Sequence, residues 1–504
     1  MPIPGNNKLL WTVGIVFILL SGYTMAHHEV WGDELHSWNI AKGSNSYSDL
    51  IAHTRYEGHP PGWYSILWVL SKFTHQPVYM QAVQWIIACS VVFLVLFFSP
   101  FPLSTKVLLP FGYYFIYEYA VLSRNYAIGV LLTFAICLTL KKEFKYKEAL
   151  YYILLFCLSN VHLLALLLAG SLHFYFLLMK AEQQKKRAGL LLHVLLGALV
   201  LIPAAYCIFP PADSQINVHF WLDHRNAHQL TLSGQAPLRA FLPIPAWWLE
   251  NFWNTQFLLT AKEDHPFLKV VNPLIILISI ALPLFILRKN RKSQALFGMN
   301  LILSFILAIS FFLLASARHT GYIYICFLAA WWFYCSETPV DPKAVRLVNI
   351  LLVLQLVGGL FAVVQDLRRP FSNLYRVNEL IREVPAGEKI VTTYWTMNGI
   401  VAFTDKPAYC IDMERDVSFV LFDRDVAAMQ QRHDIYTRGI RDLFAREGRK
   451  RAYLISTDPL EKLYRDDKDL SASFRVTLLD KREGAIEKGS NLYLYRINDP
   501  GGNP

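Results

Sequence analysis

Residues 9–38, LLWTVGIVFILLSGYTMAHHEVWGDELHSW, decide what kind of fold this chain adopts. From Leu9 to about Ala26 the stretch is apolar and follows a single lysine, close to the roughly 20 residues a helix needs to cross a hydrocarbon core. It then breaks into histidines and acids bracketed by Trp31 and Trp38, with no small-residue cleavage site before them. That pattern predicts a retained signal anchor with a polar cluster at its outer end.

The rest of the chain repeats this alternation. Its 504 residues are 54% hydrophobic, 14% aromatic and only 17% charged, with a mean hydropathy of +0.31, too apolar for a soluble protein. Apolar runs recur at about 9–26, 79–98, 106–121, 124–141, 148–160, 162–179, 189–208, 267–287, 294–314, 320–335 and 345–364. They predict a mainly α, polytopic membrane helical bundle of about eleven spans. The stretch 148–179 reads as a hairpin of two short helices or as a re-entrant pair turning near Asn160. Six of the seven cysteines lie in or beside apolar runs and Cys410 stands alone near the C-terminus, so no disulfide framework is implied.

A net charge of +10 in a soluble protein would suggest nucleic acid. Here the basic residues gather in short loops around Lys141 to Lys147, Lys180 to Arg187 and Arg288 to Lys292, where they act as orientation signals, and no nucleic-acid partner is read from them. This places the N-terminus in the cytoplasm and puts loops 27–78 and 209–266, with everything after about 366, on the opposite side. Residues 60–73, PPGWYSILWVLSKF, would rise only about 21 Å as a helix. With Trp63, Tyr64 and Trp68 as interface anchors, they predict an in-plane juxtamembrane helix. Residues 1–365 thus form a transmembrane domain. After it, KIVTTYW, PAYCID and RAYLIST alternate with a helical stretch near 424–447, and two further strands close the chain, predicting a small α/β domain over 366–504.

The candidate chemistry collects on the outer side. Asp33 and Glu34 sit just beyond the first span, where a carboxylate must be solvated, paired or bound to a cation; Asp33 is the better candidate for a general base, and the plain alternative is a pair of loop acids. Glu57 and His59, in EGHPPGWY, stand before a rigid diproline that starts a helix, as substrate or metal contacts or as part of its cap. Arg124 and Asn125 in VLSRNYAIG, with Arg318, His319 and Tyr322 in ASARHTGYIYI, place cations at the outer ends of spans. Such cations either grip a phosphate or snorkel to the interface. His27, His28, His36, His53 and His59 share one loop and with nearby acids allow a metal site, Glu34 and His59 among its candidates, although no pair has the HxxxH spacing that puts both on one helical face. VHFWLDHRNAH and PIPAWWLENFW read as sugar-stacking surfaces or as an aromatic belt.

With these residues in view, WGDE after the first span, HPPGWY before the second and SRNYAIG opening the fourth make the N-terminal part, about 10–140, resemble the membrane-embedded GT-C glycosyltransferases. The resemblance is to relatives of protein O-mannosyltransferases and of the lipid A aminoarabinose transferase. It implies a bacterial inner-membrane enzyme that moves a sugar from a polyprenyl-phosphate donor to an acceptor hydroxyl on a protein, lipid or glycan, on the extracytoplasmic side and with inversion. The first-loop acid activates the acceptor, a role that maps onto Asp33, with Glu34 as a supporting acid or metal ligand; a divalent metal stays open as cofactor. Some relatives carry a second carboxylate where this chain has Arg124 and Asn125, and Glu118 is the only acid nearby. The competing reading is a transporter or lipid flippase, although such proteins concentrate ionisable groups near the bilayer midplane. A third is a non-catalytic assembly protein with a partner-binding C-terminal domain.

Overall fold

The structure, a computed structural model, describes residues 6–183, 187–215, 227–262, 264–310 and 314–499. Helix α1 (Asn6–His27) is the anchor. Three short helices, α2 (Gly32–Gly43), α3 (Tyr47–Tyr56) and α4 (Gly62–Ser71), fold the first loop before α5 (Val78–Phe98) returns. The bundle continues through α6 (Leu103–Leu108), α7 (Tyr126–Lys141), α8 (Lys147–Ser159), α9 (Leu163–Gln183) and α10 (Arg187–Ile208), then Pro266–Ile286, Arg291–Ser310, Ala317–Glu337 and Pro342–Asp366.

Seven of these, α1, α5, α9, α10, Pro266–Ile286, Arg291–Ser310 and Pro342–Asp366, are long and apolar enough to cross a membrane. Large apolar side chains such as Trp11, Ile15 and Leu19 point outward from them, the inverse of a soluble surface. The chain is a multi-pass membrane protein. Helix Ala317–Glu337 has the length, but Tyr322, Tyr324, Trp331, Trp332 and Tyr334 make it aromatic rather than aliphatic, and all are buried: it is the axis of the bundle, shielded by its neighbours. Helix α7 has 16 residues and α8 only 13, and α8 and α9 form the hairpin turning at Asn160.

The expected span 106–121 is not one helix. It breaks into α6, a 3₁₀ turn at Leu109–Phe111 and a π-type turn at Tyr114–Glu118. Pro110 lacks a donor, Gly112 is extended, and helix Pro342–Asp366 packs so tightly across the break that a Cβ on Gly359 would lie 2.9 Å from the Phe111 carbonyl oxygen. The aromatic anchors expected on the juxtamembrane helix are also elsewhere. α4 spans only ten residues and buries Trp63 and Tyr64 inside the protein, while the Trp68 indole donates to the Ser44 carbonyl at 3.0 Å. α4 packs mainly on α2, which turns its aromatic side inward.

After residue 366 the chain builds a six-stranded mixed sheet from β1 (Ile390–Thr392), β2 (Ala408–Cys410), β3 (Arg415–Val417), β4 (Arg451–Ser456), β5 (Arg475–Arg482) and β6 (Leu492–Asn498), in the order β3-β2-β1-β4-β6-β5. β1 runs parallel to β2 and β4, and the other pairs are antiparallel. The period-2 alternation of strands assigns the two faces. Val391, Tyr409, Leu454 and Tyr495 pack under helix Ile435–Glu447 in a core of their own. Cys410, Ile455 and Leu494 join the core that continues into α2 and the bundle. The composition changes at 366, but the packing runs straight through.

Candidate functional site

The first loop is folded by local signals. Glu34 closes the start of α2 by reaching back, its carboxylate accepting the Trp31 N–H at 2.9 Å, which sets Asp33 in the first helical turn, where the helix dipole favours an anion. At the far end of α3, Gly58 takes φ +64°, a left-handed value that suits glycine. Its N–H bonds to the Arg55 carbonyl at 3.2 Å and that of His59 to the Thr54 carbonyl at 3.3 Å. This Schellman closure turns His59 back toward Asp33.

Two arginines from distant parts of the chain meet that carboxylate. Arg318, in the first turn of Ala317–Glu337, places Nη2 3.2 Å from Asp33 Oδ2. Arg124, on the turn before α7, lies 3.8 Å from the same oxygen and also donates to the Asp33 carbonyl and to Ser37 Oγ. The Arg318 guanidinium sits over Trp31 and Trp253, at 5.2 and 5.8 Å from the ring centres. Burial alone would raise the Asp33 carboxyl; Arg124 and then Arg318 outweigh it and hold Asp33 below the usual carboxylate range. Burial, then the same two cations, push His59 down to about 3, so its imidazole is neutral. His36 goes the other way: burial opposes its charge, but Glu57, at 3.0 Å, raises it above the ordinary histidine value.

These groups line one cavity of about 490 Å³. Its polar wall is Asp33, His36, Glu57, His59, Arg124, Tyr126, His162, Arg318 and His319. Its apolar lining comes from Leu163, Leu164 and Leu166 of α9, Ala205 and Ile208 of α10, and Leu307. Trp395 and Phe422 of the C-terminal region close the rim. The polar wall has donors to spare. Among the described residues Arg318 Nε and Nη1, Arg124 Nε, His59 Nδ1 and His162 Nε2 are buried without a hydrogen-bond partner. His162 is the clearest case: Nδ1 accepts the Ala165 N–H at 3.2 Å, so in the neutral ring Nε2 carries the proton.

Of the residues expected from sequence, Asp33, Glu57, His59, Arg124, Arg318 and His319 share this cavity. Glu34, Asn125 and Tyr322 do not. Glu34 is fully buried, its oxygens taken by the Trp31 and Ser123 N–H groups with His28 Nε2 at 3.7 Å, so it ties the α2 start to the Arg124 turn and does not line the cavity. Tyr322 donates to the Tyr126 carbonyl at 2.7 Å, and Asn125 is buried at the start of α7. Glu118 accepts from Tyr113 at 2.8 Å and from the Trp253 indole at 3.2 Å. Glu34 and His59 form no joint metal site: no three His, Cys, Asp or Glu side chains converge as a ligand set among the described residues. Most of VHFWLDHRNAH lies outside the described residues, while Trp247 and Trp248 of PIPAWWLENFW are exposed and away from the cavity. His162, Trp395 and Phe422 were not foreseen. The polar turn SNVH between two apolar runs was a usable signal for His162; the other two come from more than 300 residues beyond Asp33 and carry none. No protein-family model matches the chain, and no curated protein matches it.

Proposed function

We propose that this chain is an integral-membrane glycosyltransferase of the GT-C type. It moves a sugar from a polyprenyl-phosphate donor to an acceptor hydroxyl on the extracytoplasmic side of a bacterial inner membrane, with about eleven crossings and a cytoplasmic N-terminus. One observation carries the reading: among the described residues, buried donors without a partner on Arg318, Arg124 and His162 line the same cavity as aliphatic side chains of α9 and α10. Buried donors find partners in nearly all folded proteins. A ligand that is anionic at one end and aliphatic at the other satisfies both, and a polyprenyl phosphate is such a ligand.

In the free protein the Asp33 carboxylate serves as counter-ion to Arg318 and Arg124. A bound phosphate competes for those cations, and a buried carboxylate relieved of them becomes a stronger base. The acceptor hydroxyl then gives its proton to Asp33 while its oxygen bonds to the anomeric carbon. The bond from that carbon to the phosphate oxygen breaks, the electron pair leaving with the lipid phosphate, whose charge Arg318, Arg124 and the His162 N–H stabilise. Attack opposite to the leaving group inverts the anomeric centre. No step is routed through a metal, since the described residues supply no group of three ligating side chains.

The test is transfer from labelled polyprenyl-phosphate sugars by protein reconstituted in liposomes, run beside a lipid-translocation assay. Transfer that Asp33→Asn abolishes while the fold survives supports the reading. Translocation without transfer would make the chain a flippase instead.

A further inference from the structure

The C-terminal region had no assigned chemistry, yet it forms part of the cavity. Helix Tyr394–Thr404 lies against α2, the helix that carries Asp33: Asn39 Nδ2 donates to the Asn398 carbonyl at 3.0 Å, and Lys42 donates to the Val401 carbonyl at 3.3 Å and to Asp405 at 2.8 Å. The start of that helix is also pinned from within its own region. The buried Asp412 carboxylate accepts the Tyr394 N–H at 3.0 and 3.1 Å, and Thr396 Oγ1 accepts the Thr457 N–H at 2.8 Å. Trp395 therefore sits on backbone fixed relative to Asp33.

Its side chain is the exception among the aromatic residues nearby. Tyr394 is 4% exposed and Tyr409 2%, whereas Trp395 is 50% exposed and still lines the cavity. Among the described residues its indole meets one other ring, Tyr394, in a T-shaped contact at 5.1 Å and 86°, so no ring lies stacked on it. Phe422 stands on the same rim, 5.5 Å from the His36 ring, and the His36–Glu57 pair borders it.

We infer that Trp395, with Phe422 and the His36–Glu57 pair, forms a subsite for a hydroxyl-rich sugar ring of the acceptor. The three walls divide the ligand chemistry between them. Spare cationic donors lie on the Arg318 side and aliphatic surface on the α9 and α10 side, so neither a phosphate nor a prenyl chain belongs at the Trp395 rim. An aromatic face beside a paired acid and imidazole suits a pyranose instead: its C–H face packs on the indole while its hydroxyls bond to the carboxylate and imidazole. The inference rests on the transferase reading for assigning this ring to the acceptor.

The measurement is saturation-transfer NMR on the full-length protein in detergent. The probes are methyl glycosides of glucose, mannose and N-acetylglucosamine, with a short-chain polyprenyl phosphate titrated separately. Wild-type protein is expected to transfer saturation to the ring C–H protons of at least one glycoside. Trp395→Ala should weaken that glycoside about fivefold to tenfold, Trp395→Phe less, and both should bind the polyprenyl phosphate as wild type does. No glycoside signal from the wild type, equal signals from wild type and Trp395→Ala, or a loss confined to the polyprenyl phosphate overturns the subsite. So does a serine-containing hexapeptide that binds in a Trp395-dependent way where glycosides do not. Glycoside binding that depends on Trp395 without any polyprenyl-phosphate binding would leave the subsite standing and remove the donor reading, so the two failures are distinct.

Discussion

The bundle has an ionic hollow at each end, and three helices run between them. α7 leads from Tyr126 to Lys141, α9 from Leu163 to Glu182, and Ala317–Glu337 from Arg318 to Glu337, the last a rise of about 30 Å. The hollow beside Asp33 holds about 490 Å³ and the one beside Glu337 about 610 Å³. At the Glu337 end the lysines are matched to acids: Lys141 with Glu337, Lys147 with Glu143 and Lys292 with Glu182 at 2.7 Å, and Lys289 with Asp341 at 2.9 Å. Glu337 also accepts from Tyr175 and from Asn290. At the Asp33 end one carboxylate faces two arginines and several donors stay unused. Size and charge are thus shared by both ends; unmet hydrogen-bonding capacity separates them, and it marks where a ligand is wanted.

Mutations that treat the two ends alike would break this contrast. The largest effects belong to Arg318→Met and Asp33→Asn, each expected to lower transfer at least about 100-fold in liposome assays, with thermal unfolding near that of the wild type. A comparable loss of turnover in Glu337→Gln would erase the distinction.

Alkaline pH should come next and act on one end only. The His28 ring, 2.8 Å from Asp366, is desolvated by burial, yet Asp366 and then Glu34 raise it from 6.5 to about 10. A raised histidine stabilises the fold fully below its unfolded value, and that contribution fades as pH climbs from 6.5 through about 10. Melting temperatures measured across that range should fall in the wild type and in Glu337→Gln but drift less in His28→Gln; identical slopes in all three would discount the buried pair.

Glu337→Gln should cost about 1–3 kcal/mol of stability through its broken network, with transfer per folded molecule unchanged. The smallest effect sharpens the boundary of the site itself. Glu34→Gln should cost about 1–2 kcal/mol through a weakened cap and lost N–H contacts and keep transfer close to wild type, whereas loss of transfer without loss of stability would return Glu34 to the chemistry.

That last pair shows where sequence reading stops. Asp33 and Glu34 are adjacent acids with the same neighbours in the chain, and what divides them is about 100° of rotation around α2, which aims one at the cavity and the other at Ser123. Asp33, Arg124 and Arg318 were legible because a charge beside an apolar run is costly and asks for a reason. Trp63 and Tyr64 misled because an aromatic residue beside a span suits a lipid interface and a protein core equally, and only the packing of α4 on α2 chose the core. In the 106–121 run, hydropathy averaged over the very residues, Pro110 and Gly112, that break the helix.

The sequence by itself determined a membrane protein of many apolar helices, the gathering of its polar motifs in the loops of one side, and a strand-rich C-terminal region, because hydrophobicity and strand alternation are written locally along the chain. Only the tertiary structure decided that Asp33 meets two arginines from distant turns, that His162 keeps a free donor, and that Trp395 closes the same cavity. Whether a donor has a partner depends on what folds up against it, and no stretch of sequence contains that.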